Sequence, residues 1–218
     1  AKDREAALTY LKETNAGTTP EEPLAALADG MTTIASFIED IAKAAGAKPV
    51  TNWMAGTYAF EGYETFGFIS IDEYPGLDLH EKYPHVRGLR GGARLFAALE
   101  YNVKARGIPV QLATAAERLI TSSDGAVTGV VLRDQSGTRR VRARGGVILA
   151  CGGFEADAAM QAQYWQGKPV LPQAYSGNTG DGIRMAQAVG AQLWHMWHYH
   201  GTYGMRHPDP DYPYGMRL

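Results

Sequence analysis

The chain has 218 residues, of which 45% are hydrophobic and 20% charged, with a formal net charge of −2. That is a globular composition, and its near-neutral balance excludes a general nucleic-acid binder. No apolar run reaches the length of a membrane span, the polar start AKDREAALTYL is not signal-like, and the single Cys151 excludes an internal disulfide and fits a reducing, cytoplasmic setting.

The opening DREAALTYLKET reads as a helix, because Ala6, Ala7, Tyr10 and Leu11 recur with a period near 3.6. A second, longer helical stretch covers residues 18–46. Thr19 is its expected cap, Pro20 suits the first turn, and Glu21 and Glu22 favour the positive end of the helix dipole. Leu24, Leu27, Met31, Ile34, Phe37, Ile38 and Ile41 form the expected apolar stripe, and Gly46 the stop. Gly30 argues against one unbroken helix. Residues 49–89 are rich in aromatics, Gly and Pro, and are expected to be an irregular arm with short strands.

Regular structure is expected again from Arg90. GGARLFAALEYNVKARG predicts a helix with Leu95, Phe96, Leu99 and Val103 inward and Gly107 as terminator. IPVQLAT (108–114) predicts a strand. AERLITS, AVTGVVLRD and TRRVRARG predict three more, with turns at SSDG (122–125) and QSG (135–137). VILA (147–150) is wholly apolar, as in strands buried on both faces of a parallel sheet.

Cys151, Gly152 and Gly153 follow directly, where open α/β sheets bind ligands, and glycine there admits positive φ and close approach of a ligand. Phe154 then turns the chain into an expected helix at 155–165. Further on, Gly180, Asp181 and Gly182 precede a helix at 183–190. Exposed amides at such a start attract anions, and Asp181 can accept hydrogen bonds from a sugar or ribityl hydroxyl. Each motif alone is equally readable as a tight turn or an ordinary helix cap. The tail LWHMWHYHGTYGMRH carries His195, His198, His200 and His207 among aromatics. No carboxylate or thiolate pattern accompanies them, so no metal is expected.

ILACGGFEAD followed by TGDGIRMAQAVGAQLWHM resembles the flavoprotein family of fumarate reductase and succinate dehydrogenase. It is most similar to the soluble branch of ketosteroid-dehydrogenase and urocanate-reductase-like proteins. The helix, strand and meander order from Arg90 to Asp134 extends the resemblance, as do the two N-terminal helical segments. The fold class implied is α/β. It is an incomplete FAD-binding domain, Rossmann-like and of the glutathione-reductase type, with a β-meander. Residues 1–48 would be its helical segment, 49–89 the aromatic arm, 90–198 the FAD-binding core and 199–218 the start of a capping domain.

The resemblance implies FAD as cofactor. Ala150, Cys151, Gly152 and Gly153 would line the flavin nucleotide, and Asp181, within Thr179-Gly180-Asp181-Gly182, would hydrogen-bond it. Ala116 would offer its backbone to the adenine. His200 and Thr202 match positions that contact a substrate carboxylate, although Gly201 replaces a proline and His198 an amide residue. Cys151 stands where the family carries a small Thr or Ala, and reads as a packing residue. The implied reaction is hydride transfer between flavin and a C–C bond activated by a carbonyl or carboxylate. The implied substrate is a small carboxylate or ketone, steroid-like ketones included.

No residue is assigned as the catalytic acid or base. The family's GxGxxG turn and its catalytic arginine have no counterpart in this sequence. The expectation is therefore an interior fragment of a larger flavoenzyme, inactive by itself, binding FAD weakly or undetectably and isolated without it, with an open sheet edge that invites a homodimer. Two other readings are carried: a non-catalytic interaction domain that keeps the fold, and a metal-binding protein using His195, His198, His200 and His207.

Overall fold

The computed structural model describes residues 1–54, 56, 58–84, 91–167, 170–172, 175–197, 204–209, 211 and 215–217. The chain forms two compact units, Ala1–Val110 and Gln111–Leu218.

In the first unit, α1 (Arg4–Asn15) is capped by Asp3, whose carboxylate accepts from the Ala6 amide at 2.7 Å. It buries Ala7 and Leu8 against Leu24 and Ala28 of α2 (Glu21–Ala44). Thr19 does not cap α2. Pro20 takes that position and no side chain caps the helix, so the glutamates of the first turn supply the favourable charge there. The helix runs through Gly30 without a break, because a helical glycine costs only about 1 kcal/mol. It stops before Gly46, which has φ +71°.

The expected stripe on α2 is only partly inside. Leu24, Ile38 and Ile41 are buried, whereas Leu27, Ile34 and Phe37 are exposed. The helix is longer than any one neighbour. Its first half packs on α1 and its last turns on the elements that follow, so the buried face is set by two different partners.

β1 (Lys48–Trp53) and β2 (Gly67–Glu73) form an antiparallel ribbon within the arm, with Val50 opposite Ser70 and Asn52 opposite Phe68. The buried Thr65 hydroxyl accepts the Asp3 amide at 2.9 Å, which ties the arm to the start of α1. The Tyr10 and Phe66 rings meet there, tilted, with centroids 4.7 Å apart. A single turn, α3 (Leu79–Lys82), capped by Asp78, precedes α4 (Gly91–Ala105). The face of α4 that turns inward matches the expected one only in part: Leu95 packs on the core and Val103 is half-buried. Ala97, Ala98 and Asn102 are buried, while Phe96 and Leu99 are exposed. Small residues let α4 approach closely, and the Asn102 amide bridges the Ile41 carbonyl of α2 at 2.9 Å and the Ala98 carbonyl at 2.8 Å.

In the second unit, β3 (Ala115–Thr121), β4 (Val127–Asp134) and β5 (Gly137–Arg142) make the expected antiparallel meander, in the order β3-β4-β5. Val131, on the central strand, is 1% exposed. α5 (Ala158–Tyr164) and α6 (Asp181–Gln187) follow, then the short antiparallel pair β6 (Gly204–Arg206) and β7 (Gly215–Arg217).

The α/β class holds, with small sheets that are antiparallel throughout the described residues. Two expected strands differ. Residues 108–114 and 147–150 have no ladder partner among the described residues, and Leu112 is 83% and Ile148 93% exposed. Their composition favours extended backbone, but a strand exists only where a second segment lies beside it.

Candidate functional site

The two glycine motifs meet in the second unit. After residue 150 the chain turns at Gly152, which has φ +77°, a conformation that a side chain disfavours. Phe154 anchors this turn. It is buried with Met160 and Trp165, its ring 4.8 Å from the indole and 5.7 Å from Tyr164. Removing a buried aromatic of this kind costs about 3–5 kcal/mol. Gln161 pins the same region: its amide nitrogen donates to the carbonyls of Glu155 at 2.7 Å and Val170 at 2.8 Å, and its oxygen accepts the Val170 amide at 2.9 Å. Asp157 caps α5, accepting from the Met160 amide at 2.8 Å.

The second turn lies against the first. The Gly180 amide donates to the Gly153 carbonyl at 2.9 Å, and the Ala156 amide to the Asn178 carbonyl at 3.0 Å. The Asn178 side chain donates to Glu155 Oε1 at 2.6 Å. Gly180, with φ +80°, opens α6. A Cβ on Gly180 would stand 2.4 Å from Met160 Sδ, and one on Gly182 3.1 Å from the Cys151 Cβ. Part of the demand for glycine is therefore close packing of these two turns on each other.

What the turns leave open suits a nucleotide. Ala150, Cys151 and Gly152 are exposed and Gly153 is half-buried. The amides of residues 151–153 have no hydrogen-bond partner among the described residues. Thr179 Oγ1 donates to Asp181 Oδ1 at 3.2 Å, and the Asp181 side chain stays 66% exposed, with acceptor capacity left for a hydroxyl. Small side chains, free donors and one carboxylate acceptor are the features that close contact with phosphate and ribose asks for. Cys151 is exposed, so its packing role is limited to the face it turns to Gly182.

Ala116 lies near the start of β3, and α6 packs against that strand. Beside it, Ala113, Thr114, Ala115, Arg133, Asp134 and Gln135 line an open groove of about 520 Å3. Ala113 has φ +50°, an uncommon value for a residue with a side chain. The structure thus gathers Ala116, residues 150–153 and residues 179–182 in one unit. His200 and Thr202 lie outside the described residues, as does His198. His195 has φ +53° and its ring stacks 3.8 Å from Trp194 and 5.1 Å from Trp197. His207 Nδ1 accepts the Asp209 amide at 3.0 Å. Among the described residues no three His, Cys, Asp or Glu side chains are grouped to hold a metal.

Sequence reasoning overlooked Asp157, Asn178 and Arg184. Arg184 donates through Nη2 to Asp157 Oδ2 and through Nη1 to the Thr179 carbonyl. The Asp157 carboxyl is held below its usual range, first by the Met160 amide and then by Arg184. The cap was legible, since Asp157 stands three residues before Met160. The ion pair spans 27 positions and had no local signal.

Residues 4–208 match a family described as an FAD binding domain. The 3-oxosteroid 1-dehydrogenase of Mycobacterium tuberculosis is 40% identical over 110 residues, which cover 47% of this chain and 19% of that protein. The 4-oxocyclohexanecarboxylate 2-dehydrogenase of Sinomonas cyclohexanicum is 32% identical over 172 residues, 75% of this chain and 29% of that protein. Among solved structures, 3-ketosteroid delta1-dehydrogenase from Sterolibacterium denitrificans, in complex with 1,4-androstadiene-3,17-dione, superposes with a TM-score of 0.77 at 23% identity. That match covers 98% of this chain and 48% of the other, and shares the fold. The chain thus spans 19% and 29% of these curated relatives.

Proposed function

The chain belongs to the family of FAD binding domains, and from that premise we propose that the protein is an FAD-dependent oxidoreductase whose nucleotide site is built on the paired turns at 150–153 and 179–182. The observation that carries this is the 2.9 Å bond from the Gly180 amide to the Gly153 carbonyl, which brings both motifs to one place, with amides that have no partner among the described residues and an exposed carboxylate.

In this reading residues 150–153 lie along the flavin nucleotide, with their amides directed to its oxygens. Asp181 accepts a hydrogen bond from a hydroxyl of the cofactor, and Thr179 orients that carboxylate through its own hydroxyl. The Ala116 backbone faces the adenine. When bound, FAD supplies the centre that exchanges a hydride with the substrate. His200 and Thr202 hold the carbonyl or carboxylate that activates the reacting C–C bond. The names of two relatives, a 3-oxosteroid and a 4-oxocyclohexanecarboxylate dehydrogenase, favour a cyclic ketone as substrate. The run at 147–150, which has no ladder partner among the described residues and leaves Ile148 93% exposed, supports self-association as a homodimer. Sedimentation that finds a monomer at every concentration would overturn that part.

FAD titration followed by flavin fluorescence tests the cofactor site. Weak but saturable binding is expected, weakened about tenfold in Asp181→Ala, as loss of one charge-assisted hydrogen bond implies. Absence of saturable binding, or an Asp181→Ala titration identical to the parent, would refute the assignment.

A further inference from the structure

Resting on the FAD reading above, we infer that Arg184 and Asp157 are positioning residues for the nucleotide site, locking the 151–153 turn and the 179–182 turn at one separation. Neither residue needs to touch the cofactor.

The two ends of the Arg184 guanidinium serve different segments. Nη1 binds the Thr179 carbonyl, inside the second turn, and Nη2 binds Asp157 Oδ2. Asp157 is divided in the same way: Oδ2 takes the arginine, while Oδ1 takes the Met160 amide at the start of α5. A continuous path therefore runs from Thr179 through Arg184 and Asp157 to α5, which is joined to the first turn by Phe154 and Gln161. A planar guanidinium with donors on a rigid fork suits this bridging, and an ammonium does not.

The arrangement also settles a competition. Asp181, three residues before Arg184 on α6, is its obvious local partner, yet the Nη1 to Oδ1 separation is 3.7 Å. Arg184 makes its hydrogen bonds to Asp157 and Thr179 and only a looser ion pair with Asp181, whose side chain stays 66% exposed. The Asp157 side chain is 17% exposed and the Arg184 side chain 48%, so the pair is shielded from solvent on its carboxylate side only. Holding the two turns in one fixed arrangement before the ligand arrives lowers the ordering cost of binding.

The test uses the chain as it stands, with Arg184→Met, Arg184→Lys, Asp157→Asn and the double variant Asp157→Asn/Arg184→Met. Asp157→Asn keeps an oxygen for the Met160 amide and replaces the oxygen that faces Arg184 by an NH2, which removes the charge and cannot accept from the guanidinium. Two readouts are taken: amide hydrogen exchange without ligand, and the Kd for FAD. Expected is faster exchange confined to residues 151–156 and 177–183 in Arg184→Met, with residues 127–142 unchanged. FAD affinity should fall about tenfold in Arg184→Met and Asp157→Asn, less in Arg184→Lys, and no further in the double variant. Unchanged exchange at both turns would overturn the lock. Faster exchange across the whole unit with an unaltered Kd would mark the pair as merely structural and overturn the positioning role. A parent chain that takes no FAD refutes the cofactor reading and the positioning role with it, and the exchange arm then still reports on whether the two turns are coupled.

Discussion

Gly152→Ala tests the geometry of the paired turns most directly. Gly152 has φ +77°, and a Cβ placed there would lie 2.3 Å from Asn178 Oδ1 and 2.8 Å from its Cγ. Two costs follow. Holding a non-glycine residue in the left-handed region costs about 1–2 kcal/mol. The Asn178 amide must also swing away, giving up its 2.6 Å bond to the Glu155 carboxylate, a further ~1.5 kcal/mol at a partly exposed position. The sum is about 3 kcal/mol, read as a shift in the urea midpoint followed by tryptophan fluorescence. The second contribution depends on Asn178 and the first does not. In an Asn178→Ala background, Gly152→Ala should therefore cost only about 1–2 kcal/mol. An equal cost in both backgrounds would show that the two side chains do not meet, and would refute the proposed juxtaposition of the turns.

Asn102→Ala removes two buried amide bonds, one to Ile41 of α2 and one to Ala98 within α4, and should lower stability by about 2 kcal/mol in urea unfolding. The Ile41 carbonyl keeps a 3.3 Å contact from the Ala45 amide, which holds the loss to that size; a loss under about 0.5 kcal/mol would contradict the bridge. Glu100 is held by Lys104 and then Lys82, which bring its carboxyl from 4.5 to about 2. A depressed carboxylate stabilises the fold above the unfolded value and loses that contribution as pH falls from 4.5 towards about 2. Glu100→Gln should flatten the pH dependence of the urea midpoint in that window, and an unchanged profile would count against the two ion pairs. Ile148→Ser should change stability by less than about 0.5 kcal/mol, because Ile148 is 93% exposed, whereas a strand buried on both faces would lose about 2–5 kcal/mol.

Local pattern determined much of this protein. The meander is legible because alternation within each strand and the SSDG and QSG turns are short-range features; β3 and β4 lie within a residue of expectation, and β5 ends three residues sooner. The ends of α2 and α4 are legible because Gly46 and Gly107 take the positive φ that stops a helix. The pairing of CGGF with TGDG was readable as a resemblance, since each motif is contiguous and demands particular residues. Tertiary structure decided the rest. Which residues of α2 and α4 turn inward depends on neighbours far along the chain, so Phe37 and Phe96 are exposed while Ala97 and Asn102 are buried. Composition favoured strands at 108–114 and 147–150, but a ladder needs a partner, and the described residues supply none. The link from Arg184 to Asp157 crosses 27 positions. Hydrophobic period and turn chemistry are properties of a segment, whereas burial, strand pairing and ion pairing are properties of two segments at once, and only the folded chain selects the second.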